Sequence, residues 1–272
     1  MVDCTYEEKM IPKTIHYCWF GRNPKPKLAE KCIKSWRKKC PDYQIIEWNE
    51  DNFDISACPL YVRQAYEAKL WAFVSDYTRL KVVYDYGGIY LDTDVELRKN
   101  LDPLLEYNAY FGFDDERKIA TGLGFGAEKH HPLLRELMCD YDDISLIRED
   151  STIDRTPCPT RNTVVFEKHG LIRDNSKQVL DDNVLILPQE YLSPISFFTG
   201  KKTITKNTIS IHWFQASWFN EEQKERQRKR LQKARKQRLA EFMDLLVHLP
   251  NRCLIFLLGI ERYSKIKSFL KR

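Results

Sequence analysis

Two adjoining stretches decide the fold: Ser75-Asp76-Tyr77-Thr78-Arg79-Leu80, and Tyr86-Gly87-Gly88-Ile89-Tyr90-Leu91-Asp92-Thr93-Asp94-Val95-Glu96. Leu70, Phe73, Val74, Tyr77, Leu80 and Tyr84 recur at three- and four-residue steps, the period of a helix packed on one side. Asp76 and Arg79 are three apart and share a different face of that helix. Gly87-Gly88 suits a left-handed helix end and a sharp turn. Ile89-Tyr90-Leu91 is short, apolar and rich in strand-forming residues, as a buried strand would be. Asp92 and Asp94 follow at its exit. Residues two apart on a strand point the same way, so if the strand runs that far the carboxylates converge on one hard cation. Two buried like charges are costly without a cation or a shared proton. Taken alone, the triplet reads more simply as a surface turn with solvated carboxylates. The apolar strand, the Gly-Gly pair and the Asp/Arg pair together favour a metal–phosphate site.

Working outward, Ile11-Pro12-Lys13-Thr14-Ile15-His16-Tyr17-Cys18-Trp19-Phe20-Gly21 reads as a first strand ending at a glycine turn. Strand exits are where open α/β sheets place ligand-binding residues. Trp19 at that exit is either a core residue or a platform for a nucleotide base. A helix is expected over Leu28–Lys39, a strand over Tyr43–Trp48 and a helical region from Tyr61. Alternating strands and helices indicate an α/β fold with an open, mostly parallel sheet. Further strands are expected at Val95–Leu97, Ala109–Phe113, Val184–Leu187 and Thr208–His212, and a helix at Pro132–Tyr141. Asp150–Thr163 and Tyr191–Thr203 read as loops. Thr121–Ala127 alternates glycine with apolar residues. It lacks the spacing of a dinucleotide fingerprint and reads as close backbone approach to a ligand, or as glycine-rich strand packing. His212, at a late strand exit beside Trp213 and Trp218, is a candidate third metal ligand or a structural histidine.

Charge is unevenly spread over the 272 residues. The net charge is +5, and Glu221–Arg272 holds 15 Lys/Arg against 6 Asp/Glu. The main body is therefore mildly acidic, which argues against a nucleic-acid partner. Residues 1–220 are expected to form the catalytic domain and 221–272 a basic amphipathic helical tail. That tail suits an anionic membrane surface, since its apolar run Leu254–Leu258 is far shorter than the roughly 20 residues a spanning helix needs. The eight cysteines form no C-x-x-C pair. With Met1–Lys9 polar and no signal peptide visible, reduced thiols in the cytoplasm are expected, the protein lying peripherally on the inner face of the cell membrane.

The segments around Trp19, Asp76–Arg79 and Asp92–Asp94, with Ile211-His212-Trp213-Phe214-Gln215-Ala216-Ser217-Trp218, together resemble glycosyltransferase family 32. These are D-x-D sugar transferases that include enzymes of capsular polysaccharide synthesis, with the large glucosylating bacterial toxins as more distant relatives. The resemblance runs from about Ile11 to Trp218. It implies a GT-A fold with a Rossmann-like mixed sheet flanked by helices. It further implies a nucleotide-sugar donor, expected to be UDP-linked, Mn2+ or Mg2+ as cofactor, and transfer with retention to a saccharide or lipid-linked glycan acceptor in surface polysaccharide synthesis. By this resemblance Trp19 stacks on the base, and Asp76 and Arg79 contact the donor sugar and diphosphate. Asp92 contacts ribose and sugar, with Tyr90 beside it, and Asp94 binds the metal. His212, with Ser217 and Trp218, completes the metal site and closes over the diphosphate. An Asn often found near Thr121–Phe125 is missing here.

Two other readings compete. Leu91-Asp92-Thr93-Asp94-Val95 also fits the first motif of a haloacid-dehalogenase-type phosphatase, with Asp92 as nucleophile and Asp94 as general acid; that motif usually begins its fold, whereas here two strands precede it. The remaining alternative is a non-catalytic, membrane-tethered sugar-nucleotide binding module.

Overall fold

A computed structural model describes residues 10–215, 219 and 221–248. The chain order is β1 (Thr14–Cys18), α1 (Lys27–Lys39), β2 (Gln44–Trp48), α2 (Leu60–Glu67), α3 (Trp71–Tyr86), β3 (Gly88–Tyr90), β4 (Val95–Leu97), β5 (Ala109–Gly112) and β6 (Phe125–Ala127). Then come α4 (Pro132–Cys139), α5 (Cys158–Lys168), β7 (Gln178–Leu180), β8 (Val184–Leu187), α6 (Gln189–Leu192), β9 (Ser210–His212) and α7 (Glu221–His248). Seven strands form one sheet in the order β2-β1-β3-β6-β5-β8-β7, and β4 pairs with β9 in a second, two-stranded sheet.

The α/β class and the mixed, helix-flanked sheet are as expected. The sheet is less parallel than the strand–helix alternation suggested. β1 is parallel to β2 and β3, and β5 to β8, but β6 runs antiparallel to both β3 and β5, and β7 to β8. The link from β5 to β6 holds no α-helix to cross the sheet, only a 3-10 turn at Thr121–Leu123 and an antiparallel bridge of Phe113 with Ile119, and the chain doubles back. Side chains alternate across the sheet. On one face Tyr90, Phe111 and Phe125 pack with Phe73, Val74, Tyr77 and Leu80 of α3. On the other, Ile15, Ile89 and Tyr110 pack with Cys32, Ile33 and Trp36 of α1.

α3 ends as its sequence requires. Gly87 adopts φ +67°, and its N–H donates to Val83 O at 2.8 Å. A Cβ there would lie 2.9 Å from Lys129 N and from the Pro12 ring, so only glycine fits both the backbone and the space. The turn is also tied by His16, which is fully buried. Trp48 Nε1 donates to His16 Nδ1 at 3.0 Å, so the ring proton sits on Nε2, 2.9 Å from Gly87 O. One neutral imidazole thereby joins β1, β2 and the α3–β3 turn.

Two local expectations are corrected. β3 stops at Tyr90, and the D-x-D triplet lies in a turn, with Val95 N–H bonded to Asp92 O at 2.9 Å, rather than on a continuing strand. Asp150–Thr163 is not loop throughout: α5 begins at Cys158 with proline in its first turn, where the missing N–H breaks no helical bond. Likewise α6 occupies the start of the second expected loop, and within the expected tail α7 spans Glu221–His248.

The described residues divide into two compact units, one comprising 10–197, 201–215 and 219, the other 198–200 with α7. Within the second unit the Arg230 guanidinium lies 4.3 Å from the Phe198 ring centre, and Arg238 Nη1 donates to Thr199 O at 2.5 Å. No helix among the described residues is long and apolar enough to cross a membrane. The expected apolar end of the tail, and the expected site residues Ser217 and Trp218, lie outside the described residues.

Candidate active site

The site is built at the exits of β1 and β3. These neighbours are parallel and in register at His16 and Tyr90, so Cys18-Trp19 and Leu91-Asp92 leave the sheet side by side. β4 then brings Asp94 against β9: Val95 is paired with His212, and Trp213 N–H donates to Asp94 O at 3.0 Å. α1 backs this small sheet, with Trp36 Nε1 donating to Val95 O at 2.7 Å and Leu97 N–H donating to Ser35 Oγ at 2.9 Å.

Asp76 and Arg79 project from α3 into the same place. Arg79 Nη1 lies 3.1 Å from Asp76 Oδ1, and Nη2 lies 3.0 Å from Asp92 Oδ1. Tyr90 donates its hydroxyl to the same Asp92 oxygen at 2.8 Å, and the Arg79 guanidinium sits 5.1 Å from the Tyr90 ring centre. Arg79 is buried, at 4% exposure. One guanidinium thus holds two carboxylates from different elements, and removing it would leave buried charges unpaired.

On the far side of Asp92, His212 Nε2 lies 3.1 Å from Asp94 Oδ1, while Gln215 N–H donates to Asp94 Oδ2 at 2.8 Å. One ligand atom each from Asp92, Asp94 and His212 lies within 4.8 Å of the others. His212 Nδ1 is buried without a hydrogen-bond partner. Two carboxylates and an imidazole with an uncommitted buried nitrogen form a donor set that suits a divalent cation such as Mn2+.

The electrostatics separate the carboxylates. Burial raises Asp76 to about 6, with Arg79 opposing and Asp92 reinforcing the rise. Burial likewise raises Asp92, against the pull of Arg79. Asp94 is buried too, yet His212 and the Gln215 N–H hold it below the usual carboxylate range. Burial disfavours charge on His212, but Asp94 and Asp92 outweigh it and raise the imidazole. Asp94 therefore stays anionic and available to a cation. Asp92 is engaged chiefly by Arg79 and Tyr90.

The structure brings together Asp76, Arg79, Tyr90, Asp92, Asp94 and His212. Trp19 lies on the same sheet edge, lining a polar cavity of about 240 Å³ with Lys25, Glu47, Asn49 and Glu50. Its indole N–H donates to Asn23 O at 2.7 Å, and Lys25 Nζ is 5.6 Å from its ring centre. Thr121 and Gly122, from the segment expected to approach a ligand closely, close the site beside Arg79 together with Cys158 and Asn162, which sequence reasoning missed. Thr121 Oγ1 lies 3.5 Å from Arg79 Nη1, and Asn162 Nδ2 donates to it at 3.2 Å. A Cβ on Gly122 would stand 2.5 Å from Asp92 Oδ2. The glycine alternation had signalled a close approach, but nothing local marked its target.

This arrangement is a D-x-D site in which two carboxylates and an imidazole gather beside a buried arginine. Residues 26–111 match the family model described as "Glycosyltransferase sugar-binding region containing DXD motif". The chain is similar to inositol phosphoceramide mannosyltransferase 3 of Schizosaccharomyces pombe, 31% identical over 135 residues, covering 47% of this chain and 36% of that one. It is similar also to inositol phosphoceramide mannosyltransferase 2 of the same organism, 27% identical over 204 residues, covering 71% and 57%. The chain thus spans about a third to somewhat over half the length of these two relatives. Among solved structures it is similar to "PaToxG Glycosyltransferase", with a TM-score of 0.47 and 18% identity over 58% of this chain and 69% of that one.

Proposed function

We propose that the protein is a metal-dependent glycosyltransferase that moves a hexose, with retention, from a nucleotide-sugar donor to a saccharide or lipid-linked saccharide acceptor. The observation that carries this reading is the junction of two clusters on one sheet edge: Asp92, Asp94 and His212 within ligand distance of one another, and Arg79 paired with both Asp76 and Asp92.

The proposed division of labour is supported by this geometry and by the sequence resemblance. Trp19 offers a flat face to the base. Asp94, with His212 and Asp92, would hold Mn2+ or Mg2+, which when bound stabilises the charge developing on the departing diphosphate. Arg79 fixes the two carboxylates whose remaining oxygens accept hydroxyl hydrogens of the sugar. Because these groups are buried and already oriented, they need little rearrangement as charge develops. A lipid-linked acceptor is supported by the names of the curated relatives, which act on inositol phosphoceramide, and by the basic character of α7. Surface polysaccharide synthesis, the use of a UDP-linked donor, and a place on the cytoplasmic side of the membrane remain part of the proposal on the sequence resemblance.

The test is to incubate the protein with Mn2+ and UDP-glucose, UDP-galactose, UDP-N-acetylglucosamine or GDP-mannose, and to measure release of the nucleoside diphosphate. Release from one or more donors, abolished by EDTA and by Asp94→Ala in a folded variant, is expected. No release from any donor, together with hydrolysis of p-nitrophenyl phosphate that is lost in Asp92→Asn, would establish the phosphatase reading instead.

A further inference from the structure

Cys158 opens α5 at the partly exposed side of the carboxylate–guanidinium cluster. Its Sγ lies 3.7 Å from Arg79 Nη1 and 4.0 Å from Thr121 Oγ1, close enough to Asp76 to act on its carboxyl. Asn162, one helical turn along, is buried and holds Thr121 from behind. Gly122 sits against Asp92 with no room for a side chain. Two separate segments, the Thr121–Leu123 turn and the first turn of α5, therefore converge on Arg79. Arg79 itself is almost wholly buried, and its Nε has no hydrogen-bond partner. Cys158, by contrast, is only partly buried. Burial raises its thiol well above the ordinary value, helped by Asp76 and opposed by Arg79. The group there is a small neutral thiol, a weak hydrogen-bonding partner with a largely apolar surface.

We propose that Cys158, backed by Asn162 and Thr121, forms the wall of the donor-sugar pocket and determines which hexose is accepted. This rests on the glycosyltransferase reading above. Asp76 and Asp92 offer oxygens to sugar hydroxyls, and Cys158 is the side chain beside them whose bulk decides how much room a hydroxyl has. Hexoses that differ only in the direction of one hydroxyl are separated by such a wall through space and not through charge.

The experiment measures donor hydrolysis with UDP-glucose, UDP-galactose and GDP-mannose for the wild type and for Cys158→Ser, Cys158→Ala and Cys158→Val. Binding of UDP and GDP alone, and the thermal midpoint, are followed in parallel. Cys158→Val is expected to lower kcat/KM on the preferred donor by about 10- to 100-fold, while the Kd of the matching nucleoside diphosphate changes less than about twofold. Cys158→Ala should narrow the ratio of kcat/KM between donors, and Cys158→Ser should keep the wild-type ratio. Should Cys158→Val melt early, the alanine and serine variants still carry the test, since neither adds bulk. An unchanged donor ratio in every folded variant overturns the proposal, as does a loss of diphosphate binding equal to the loss of kcat/KM. Wild-type protein that releases diphosphate from no donor overturns the glycosyltransferase reading itself, and this inference with it.

Discussion

His212 Nε2 and Asp94 Oδ1 stand 3.1 Å apart, held there by the pairing of β9 with β4. If this pair serves a cation, the imidazole must give up its proton as the ion enters. Mn2+ should therefore raise the thermal midpoint of the wild type, with the shift growing from pH 6 to pH 8. Asp94→Asn and His212→Ala should each lose most of the shift. A full Mn2+ shift in Asp94→Asn, measured by differential scanning fluorimetry, would dismiss the metal assignment.

Gly122 offers a test at a residue that carries no functional group. A methyl there would stand 2.5 Å from Asp92 Oδ2 and 3.3 Å from Arg79 Nη1. Gly122→Ala should push Asp92 off its bond to Arg79, costing about 1–3 kcal/mol of stability and roughly 100-fold in donor hydrolysis through misplacement alone. Urea denaturation and initial rates check the two parts. Wild-type rates in this variant would show that Asp92 tolerates displacement.

His16 sets a pH dependence of stability. Burial lowers it to about 4, with the bond to Gly87 O opposing. A histidine with a depressed folded pKa gives the unfolded chain more protons between about 4 and 6.5. Its stabilising contribution is therefore lost as pH falls through that window. The loss is about 2 kcal/mol by pH 5. Asp76 acts in the opposite sense: its folded value of about 6 exceeds the ordinary 3.8, so its contribution is lost as pH rises from about 3.8 through 6. The two partly cancel in the wild type. His16→Gln should thus be less stable at pH 7 but lose less, or even gain, on going to pH 5. Equal pH slopes for wild type and variant in urea titrations would refute the role given to His16.

The helix α7 carries eight Lys/Arg and no acidic residue between Arg226 and Ala240. The full chain should float with vesicles containing phosphatidylserine and be released by salt, since each basic residue near such a surface contributes about 1 kcal/mol. Replacing Arg228, Lys229, Lys233 and Lys236 by Gln should reduce binding by at least about 100-fold. Unchanged flotation of that variant would assign the basic helix to another partner.

The sequence made parts of this site legible because they are local. Asp76 and Arg79 share a helix face by their spacing, and Asp92 and Asp94 follow an apolar strand within one short segment. The turn that actually converges Asp92 and Asp94 was not legible, because it depends on β4 leaving the main sheet to pair with β9. His212 could be marked as a strand-exit residue, but its partner is fixed only by that register. Thr121, Cys158 and Asn162 reach Arg79 through tertiary packing alone. The prolines around Cys158 suggested a loop, and the same prolines in fact start α5. The antiparallel course of β6 was hidden for a similar reason: glycine-rich strands carry little periodic signal, and direction is fixed by tertiary pairing with β3 and β5.

The register of β4 against β9 has one more consequence, and it concerns order of assembly. Asp92 can take its place once β3 has joined the sheet, but Asp94 is fixed, and His212 supplied, only by a strand more than a hundred residues later in the chain. Until Ser210–His212 docks, a nascent or truncated chain could hold both cores and still be blind to metal. Binding of Mn2+ would then report completion of the fold, a late checkpoint read out by chemistry and not by compactness.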